Sequence, residues 1–383
     1  MRPALALALS ALSAVAALGG CAAARLPPVT EGELVMDQDE RRMWRVAEEE
    51  EEDARHSGAL DPDSALERYL GTVAERLLPP RAASRLRVQV FVVADPRLDA
   101  FALPDGAVFV SSGLLCRLED EAQLAVLLGH ELAHAIYRHA VVERRTVKTS
   151  AAVSASFGGG LGLGRLGALA TISGYSRDLE READEQGLRL AAESGYDVRE
   201  APRPFEHLLA WMEEEELEEP FFFADHPRLK SRIENYQRLL ATTYASRQGG
   251  DRGRDRYVGA VRELFLRNAR LDLAAGRFGP AERGARRYLE LQPRSAAALA
   301  LLGDAERQRE AEGSPAKAAD HYRKALALDP RCAEAQRGLG LVLARGGDRG
   351  AARAALRRYL ELRPRAEDRG WIEADLAELE GKR

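Results

Sequence analysis

The sequence is poor in cysteine and in aromatic residues. Its 383 residues include 3 cysteines, and aromatic side chains make up 6% of the chain. Cys21 ends an apolar leader, so Cys116 and Cys332 remain, and two such residues are weak grounds for a disulfide. We therefore expect both to be buried free thiols.

An excess of one charge sign is also lacking. The formal net charge is −5, and basic residues are mixed with acidic ones without interleaved aromatic side chains. The sequence thus carries no nucleic-acid-binding signature. The charges are nevertheless uneven, since residues 21–250 hold 27 basic and 40 acidic side chains whereas residues 251–383 hold 28 and 21. This shift coincides with a polar, glycine-rich joint near residue 250, which predicts a domain boundary there.

Beyond the leader, the chain lacks a convincing membrane-spanning segment. The leader has one charge at Arg2 and an apolar stretch over residues 4–18, and then Leu-Gly-Gly precedes Cys21, which is typical of a signal peptide. Its end resembles a bacterial lipobox, which implies cleavage before Cys21 and lipidation of that thiol. Ala22 follows the cysteine, which by analogy implies anchoring to the outer membrane. The alternative is an ordinary cleavage site.

A histidine pair with metal-binding spacing is the most informative motif. It is HELAH at residues 130–134, inside the segment 119–144, where apolar residues recur at helical spacing. On a helix, two histidines four residues apart can share one metal ion, and the carboxylate between them can take a proton from a water held there. The motif predicts a zinc hydrolase with ligands His130 and His134 and general base Glu131. The alternative is that both histidines merely occupy an apolar face.

A second helical segment, SRDLEREAD at residues 176–184, offers the third ligand. Glu180 and Asp184 again lie four residues apart, so one helix face presents both carboxylates to a neighbour. Glu180 can complete the metal site, while Asp184 can accept the second ring N–H of a ligand histidine. The alternative for Glu180 is a solvated helix face. His139 is half a turn out of phase with His130, so we expect it at the surface or behind a ligand, but not on the metal.

The order of these two motifs resembles a known family. HELAH followed some 45 residues later by SRDLEREAD is similar to the zinc peptidases typified by HtpX, the CAAX prenyl protease and BepA. The resemblance covers about residues 30–245 and includes DAFALPDGAVFV at residues 99–110, where Asp99 replaces the family's usual Asn. It implies one Zn²⁺ per chain and hydrolysis of peptide bonds.

Two more site residues enter through this resemblance. Arg177 matches the family's arginine, which implies that it steadies the carboxylates or stabilises an oxyanion, and the sequence leaves both roles open. His226, followed by Pro227, resembles the family's HP element, which implies an auxiliary ligand that occludes the site or a group that faces the transition state. The alternative for His226 is an ordinary loop residue.

Two segments near the predicted ligands bear on access to the site. Residues 149–176 contain Arg165 as their one charge and many glycines, which makes them a poor membrane helix. We expect them to form a mobile apolar lid or plug over the cleft. Residues 107–110 are expected to form an edge strand beside the cleft, so that an extended, unfolded substrate would bind as an added strand.

The last third of the chain repeats itself. LELQP, LALDP and LELRP end at Pro293, Pro330 and Pro364, which are 37 and 34 residues apart, and each proline closes a helix. Small residues pair upstream of each motif: Ala269 with Ala281, Gly303 with Ala318, and Gly340 with Ala352. The pattern resembles tetratricopeptide repeats with a capping helix over residues 371–379. We expect the repeats to dock substrates or the outer-membrane assembly machinery. The alternative is that they only pack against the first domain.

These patterns predict three regions, a signal peptide at residues 1–20, a metallopeptidase domain at residues 21–250 and a tetratricopeptide-repeat domain at residues 251–383. The predicted fold is α+β, mostly helical with a small β-sheet, followed by an α-solenoid. Residues 33–78 are expected to form two helices, and residues 86–94 a half-buried strand.

The predicted function is a zinc endopeptidase of the periplasm, tethered to the outer membrane through Cys21. Its substrates would be unfolded or misassembled envelope proteins. The alternative is a periplasmic chaperone or assembly scaffold whose metal site is latent or structural. An intact Glu131 favours the enzyme, because a structural metal site gains nothing from a general base.

Overall fold

The computed structural model describes residues 26–149, 175–214, 229–309, 311 and 313–381. Cys21, the glycine-rich residues 150–174 and His226 lie outside the described residues, so the expectations for them stay predictions. The described chain is mostly helical, with one small sheet followed by a series of helix pairs. The predicted fold class is therefore confirmed.

The described helices of the first domain are α1 (Gln38–His56), α2 (Ser64–Leu77), α3 (Pro80–Ala83), α4 (Ser112–Leu115), α5 (Glu121–Ile136), α6 (His139–Thr149), α7 (Arg177–Glu193), α8 (Arg203–Glu214) and α9 (Leu229–Ala241), with a 3₁₀ turn at Val198–Glu200. The two helices predicted for residues 33–78 are α1 and α2. Each begins after an aspartate, Asp37 or Asp63, whose carboxylate accepts backbone N–H groups of the first turn.

The sheet consists of β1 (Val90–Val93), β2 (Ala100–Ala102) and β3 (Val108–Ser111) in the order β1-β3-β2. β1 runs parallel and β2 antiparallel to β3. The prediction of an edge strand at residues 107–110 is wrong, because β3 is the central strand and its backbone is paired on both sides. The sheet edge that lies against α5 is β2.

β1 is buried on both faces, and the prediction of a half-buried strand is also wrong. Val90 and Val92 join the main core, whereas Phe91 stacks on Phe109 with ring centroids 4.7 Å apart. Helix α1 covers this second face and places Ala47 against it. The sequence signal was Phe91 itself, since a solvent-facing position would be polar.

The predicted helix over residues 119–144 is interrupted. α5 ends at Ile136, and Arg138 adopts the left-handed conformation with φ 60° before α6 begins at His139. The buried Arg138 side chain donates from Nε to Glu40 of α1 over 2.8 Å, which anchors the break. A non-glycine residue rarely adopts this backbone conformation, at a cost of about 1–3 kcal/mol, so the surrounding contacts must hold it.

The helix pairs after residue 250 are α10 (Arg254–Ala274) with α11 (Phe278–Leu291), α12 (Ala296–Arg309) with α13 (Ser314–Leu328), and α14 (Ala333–Arg345) with α15 (Arg349–Leu362), followed by α16 (Arg369–Leu379). Glycine is required where they pack closely. A Cβ at Gly303 would lie 2.5 Å from the ring of Tyr322, and one at Gly338 would lie 2.1 Å from it. Cys116 and Cys332 are free thiols, as predicted, but only Cys332 is buried, whereas Cys116 is partly exposed.

The first repeat shares a hydrophobic core with the first domain. Tyr257, Val261 and Phe265 of α10 are buried in the same cluster as Leu66 and Leu70 of α2. The polar contacts follow the same seam, because Arg267 of α10 donates to Asp61 over 2.8 Å and the Ser112 hydroxyl donates to Asn268 over 2.7 Å. The predicted boundary at residue 250 therefore separates two sequence patterns, but a chain cut there would expose this core.

Candidate metal centre

Two glycines let the motif-bearing helices α5 and α7 cross in backbone contact. A Cβ at Gly129 would lie 2.7 Å from the carbonyl oxygen of Gly187, and a Cβ at Gly187 would lie 2.6 Å from the backbone nitrogen of His130. Any larger residue would push the helices apart. The crossing lies directly before His130 and one to two turns after Asp184 and Glu180, so it brings the two motifs together.

Three predicted ligands converge at this crossing. The Nε2 atoms of His130 and His134 are 3.0 Å apart. Glu180 approaches both, with Oε2 at 3.6 Å from Nε2 of His130 and Oε1 at 3.5 Å from Nε2 of His134. All three side chains are buried. Among the described residues, they form a cluster of metal-ligating side chains that is close enough together to hold one metal ion.

The spacing of these atoms fits a tetrahedral ion. Ligand atoms about 2.0–2.2 Å from a tetrahedral zinc lie roughly 3.3–3.6 Å apart, which matches the carboxylate distances and is slightly longer than the distance between the two histidines. The donor set of two imidazoles and one carboxylate leaves a fourth position for water. Glu131 lies on α5 between the two histidines and is 3% exposed.

Asp184 occupies the other side of the His130 ring. Its Oδ1 lies 3.0 Å from Nδ1 of His130, the contact predicted for fixing the tautomer. The same oxygen accepts from Arg232 Nη2 at 2.7 Å and from the Tyr236 hydroxyl at 2.8 Å. Arg232 is itself 4% exposed, and its guanidinium lies 4.1 Å from the ring centroid of Phe205. Helix α9 thus supplies the side chains that hold Asp184 in place behind His130.

This burial and pairing hold the groups in defined charge states. Burial lowers the pKa of His130 to about 4, and the positive charge of Arg232 adds to that effect, so the ring is neutral and suited to bind metal at neutral pH. Burial alone would raise the pKa of Asp184, but Arg232 and His130 outweigh it and hold that pKa well below its usual range. Burial, followed by the charge of Asp184, raises the pKa of Tyr236 well above its ordinary value, so the phenol remains a donor.

Sequence comparison assigns this region to a family. The profile of peptidase family M48 matches residues 64–240, which include α5, α7 and α9. The chain carries an M48 peptidase domain. Its resemblance to the HtpX and BepA type of metallopeptidase, inferred from the two motifs, is therefore confirmed, and the family implies a metal cofactor at the His130, His134 and Glu180 cluster.

Relatives of the M48 domain come from mitochondria and from bacteria. The mitochondrial metalloendopeptidase OMA1 of Schizosaccharomyces pombe is 32% identical over 190 residues, covering 48% of this chain and 56% of that protein. The beta-barrel assembly-enhancing protease of Escherichia coli is 26% identical over 172 residues, covering 40% of this chain and 35% of that protein. The chain spans about half or less of the length of these relatives.

Among solved structures, a thermophilic tetratricopeptide-repeat protein of Thermus thermophilus, TTC0263, is 22% identical with a TM-score of 0.28, covering 48% of this chain and 84% of that chain. This likeness is too low to bear on function, and the repeat assignment depends on the helix pairs themselves. None of the described helices combines the length and hydrophobicity needed to span a bilayer.

The two remaining predicted site residues are Arg177 and His226. Arg177 is exposed at the first residue of α7, and within the described residues it forms no hydrogen bond or ion pair. The expectation that it steadies the carboxylates is not met there, and Arg232 pairs with Asp184 instead. The alternative, that Arg177 stabilises an oxyanion, stays a prediction. His226 lies outside the described residues, so a role at the metal stays a prediction for it.

Three side chains of the M48 site were not assigned a role from the sequence. They are Arg232 and Tyr236 beneath Asp184, and Tyr175, whose ring stacks on His134 at 4.0 Å. His139 is buried beside His134, so of the two positions predicted for it, the one behind a ligand is correct. The signal for Arg232 was its four-residue spacing from Tyr236, which places both on the face of α9 that meets α7.

Proposed function

We propose that this protein is a zinc-dependent endopeptidase of the bacterial cell envelope that cleaves unfolded or misassembled outer-membrane proteins. The observation that carries the proposal is the buried cluster of two imidazoles and one carboxylate, whose ligand atoms have spacings close to those around a tetrahedral zinc ion, with Glu131 on the helix of the two histidines. The relatives named beta-barrel assembly-enhancing protease support the substrate class. The lipobox-like leader, with its expected anchor at Cys21, supports the location.

Each residue of the site would have a distinct role. His130, His134 and Glu180 would hold the ion, which when bound supplies Lewis acidity and lowers the pKa of a water towards neutrality. Glu131 would take a proton from the attacking water and return it to the leaving amine. Asp184 would keep His130 in the tautomer whose Nε2 is available, and Arg232 would keep Asp184 ionised.

Cleavage should depend on bound zinc and on the unfolded state of the substrate. The purified protein should bind one zinc ion per chain and cleave an outer-membrane β-barrel protein in its unfolded form, leaving the folded barrel intact. Removal of the metal by a chelator should abolish cleavage, and added zinc should restore it. Peptide mapping together with metal analysis checks both points. Cleavage that persists in protein shown to be metal-free would contradict the proposal.

We further propose that the last repeats dock substrates or partners. A groove of about 700 Å³ lies where α14 meets the connection between α15 and α16. It is lined by side chains of both charges, among them Arg337, Arg363, Glu334 and Asp368, together with the ring of Tyr359. Within the groove Arg337 pairs with Asp368 and Arg363 with Glu334, so an extended polypeptide that binds there would meet a surface that carries both charges.

Truncation after Pro330 tests docking without opening the shared core. The shortened chain keeps α10 and α11, which pack on the first domain, and removes the groove. Zinc affinity and cleavage of a short unfolded peptide should match the full chain. Processing of a full-length native substrate should fall at least about tenfold, because tethering raises the local substrate concentration. Unchanged processing would remove the docking proposal.

The matched control for this truncation is a chain that ends at residue 250. It loses α10, so Tyr257, Val261 and Phe265 no longer cover the core of the first domain. We expect this shorter chain to be insoluble or strongly destabilised. A stable product that binds zinc would show that the two regions fold separately.

A further inference from the structure

The second ligand histidine also has a side chain behind it. Nδ1 of His139 lies 3.0 Å from Nδ1 of His134, and His139 is 1% exposed. Nε2 of His134 is the atom that faces His130 and Glu180. His134 therefore points one nitrogen at the metal position and the other at His139.

The interrupted helix makes this contact possible. In one continuous helix, His139 would be on another face, because five residues advance about 500°, which is some 140° away from His134. The left-handed Arg138 resets the direction of the chain, and α6 begins with His139 turned back onto α5. Glu40 holds Arg138 in this position through its carboxylate. The strained turn at Arg138, held by Glu40, thus places the His139 side chain against His134.

A carboxylate stands at the far side of His139. Oε2 of Glu182 on α7 lies 3.7 Å from Nε2 of His139. The Tyr175 ring stacks on His134 with an interplanar angle of 19°, so one face of the ligand ring is also covered. Both ligand rings therefore have a side chain behind them, Asp184 of α7 behind His130 and His139 of α6 behind His134.

We propose that His139 is a positioning residue that fixes the tautomer and orientation of His134. The negative charge of Glu182, which at 3.7 Å is too far from Nε2 of His139 for a hydrogen bond, favours the His139 tautomer with its proton on Nε2. When Nε2 of His134 faces a metal, its Nδ1 carries the proton and donates to the unprotonated Nδ1 of His139. His139 then carries its own proton on Nε2, directed towards Glu182. This inference rests on the proposed metal site and adds a residue that does not itself touch the ion or the substrate.

Two substitutions separate the hydrogen bond from packing. Asn in place of His139 has its amide group close to where Nδ1 lies, whereas Leu retains bulk but no acceptor. We expect H139L to weaken zinc binding roughly 10- to 100-fold, the usual effect of losing the group behind a metal-bound histidine. H139N should stay within about threefold of the parent protein, and E182A should fall between the two variants.

The measurement is the zinc dissociation constant, obtained by competition with a chromophoric chelator on the full chain. His207→Leu is the matched control, since His207 is a partly buried histidine on α8 away from the site, and it should not change zinc affinity. Circular dichroism of each metal-free variant checks folding. If folded H139L binds zinc as tightly as the parent, or if H139N loses as much affinity as H139L, the inference is wrong. A parent protein that binds no zinc would instead refute the proposed function.

Discussion

Replacement of Glu131 by Gln should strongly reduce proteolysis and leave metal binding intact. Gln has nearly the same shape as Glu but cannot take up and return a proton, and general acid–base catalysis contributes roughly 10²- to 10⁴-fold to such reactions. We therefore expect kcat/KM on an unfolded outer-membrane protein to fall by roughly that factor. The zinc dissociation constant should stay within about twofold, because Glu131 is not one of the three converging ligands.

The control for this substitution is Glu193→Gln near the end of α7. Glu193 is exposed and forms an ion pair with Arg189 at 3.4 Å, so the same chemical change there should leave both activity and zinc affinity unaltered. Measurement of cleavage rate and zinc content on the same preparations connects the two readouts. If the Glu131 variant contains zinc and still cleaves at the parental rate, Glu131 is not the general base and the proposed chemistry is wrong.

Replacement of Arg232 by Met should cost the metal-free protein about 3–5 kcal/mol of unfolding free energy, the usual effect of removing one partner of a buried ion pair. Asp184 and Arg232 are 2% and 4% exposed. Without the guanidinium, the buried carboxylate of Asp184 has no opposite charge beside it and keeps only hydrogen bonds, such as the one from the Tyr236 hydroxyl. Urea unfolding at neutral pH measures the loss. Zinc affinity should also fall, because Asp184 no longer has a fixed position behind His130.

The pH dependence of this loss has a definite sign. The pKa of Asp184 is depressed in the folded protein, so its contribution to stability is complete above its ordinary value near 4 and is lost as the pH falls below that value. In the variant, burial without the cation raises this pKa. The stability difference between the two proteins should therefore narrow as the pH is lowered towards 4. A difference that stays constant from pH 7 to pH 4 would contradict this account.

Arg238→Met provides the matched comparison for Arg232. Arg238 lies on the same helix α9, but it is 52% exposed and pairs with Glu185 at 3.0 Å. Exposed ion pairs contribute about 0–1 kcal/mol, so this variant should unfold close to the parent. If both arginine variants lose the same stability, the effect belongs to the helix and not to the buried pair.

The parts of the site that were predicted from the sequence depend on spacing within one helix. His130 and His134 share a face because four residues nearly complete one turn, and the same holds for Glu180 and Asp184. The helix pairs of the repeats follow from equally local signals, namely the prolines that close helices and the small residues that let them approach. Such patterns can be recognised without knowing which distant segments pack against these helices.

The errors and omissions arose where distant segments meet. Residues 107–110 lie in the central strand because β1 adds to β3 from one side and β2 from the other. Nothing in those four residues distinguishes an edge from a centre. Likewise, His139 reaches His134 through one left-handed residue, Arg138, whose conformation depends on Glu40 almost a hundred positions earlier.

By itself, the sequence identified the candidate ligands and the candidate general base and determined the helical repeats, since residue type and helical period are local properties. The tertiary structure alone decided that Glu180 meets the two histidines, through the crossing of α5 and α7 at Gly129 and Gly187. It also decided that Arg232, and not Arg177, neutralises Asp184. The physical reason is that a buried charge takes whichever partner the packing brings within reach, and packing is set by the whole core.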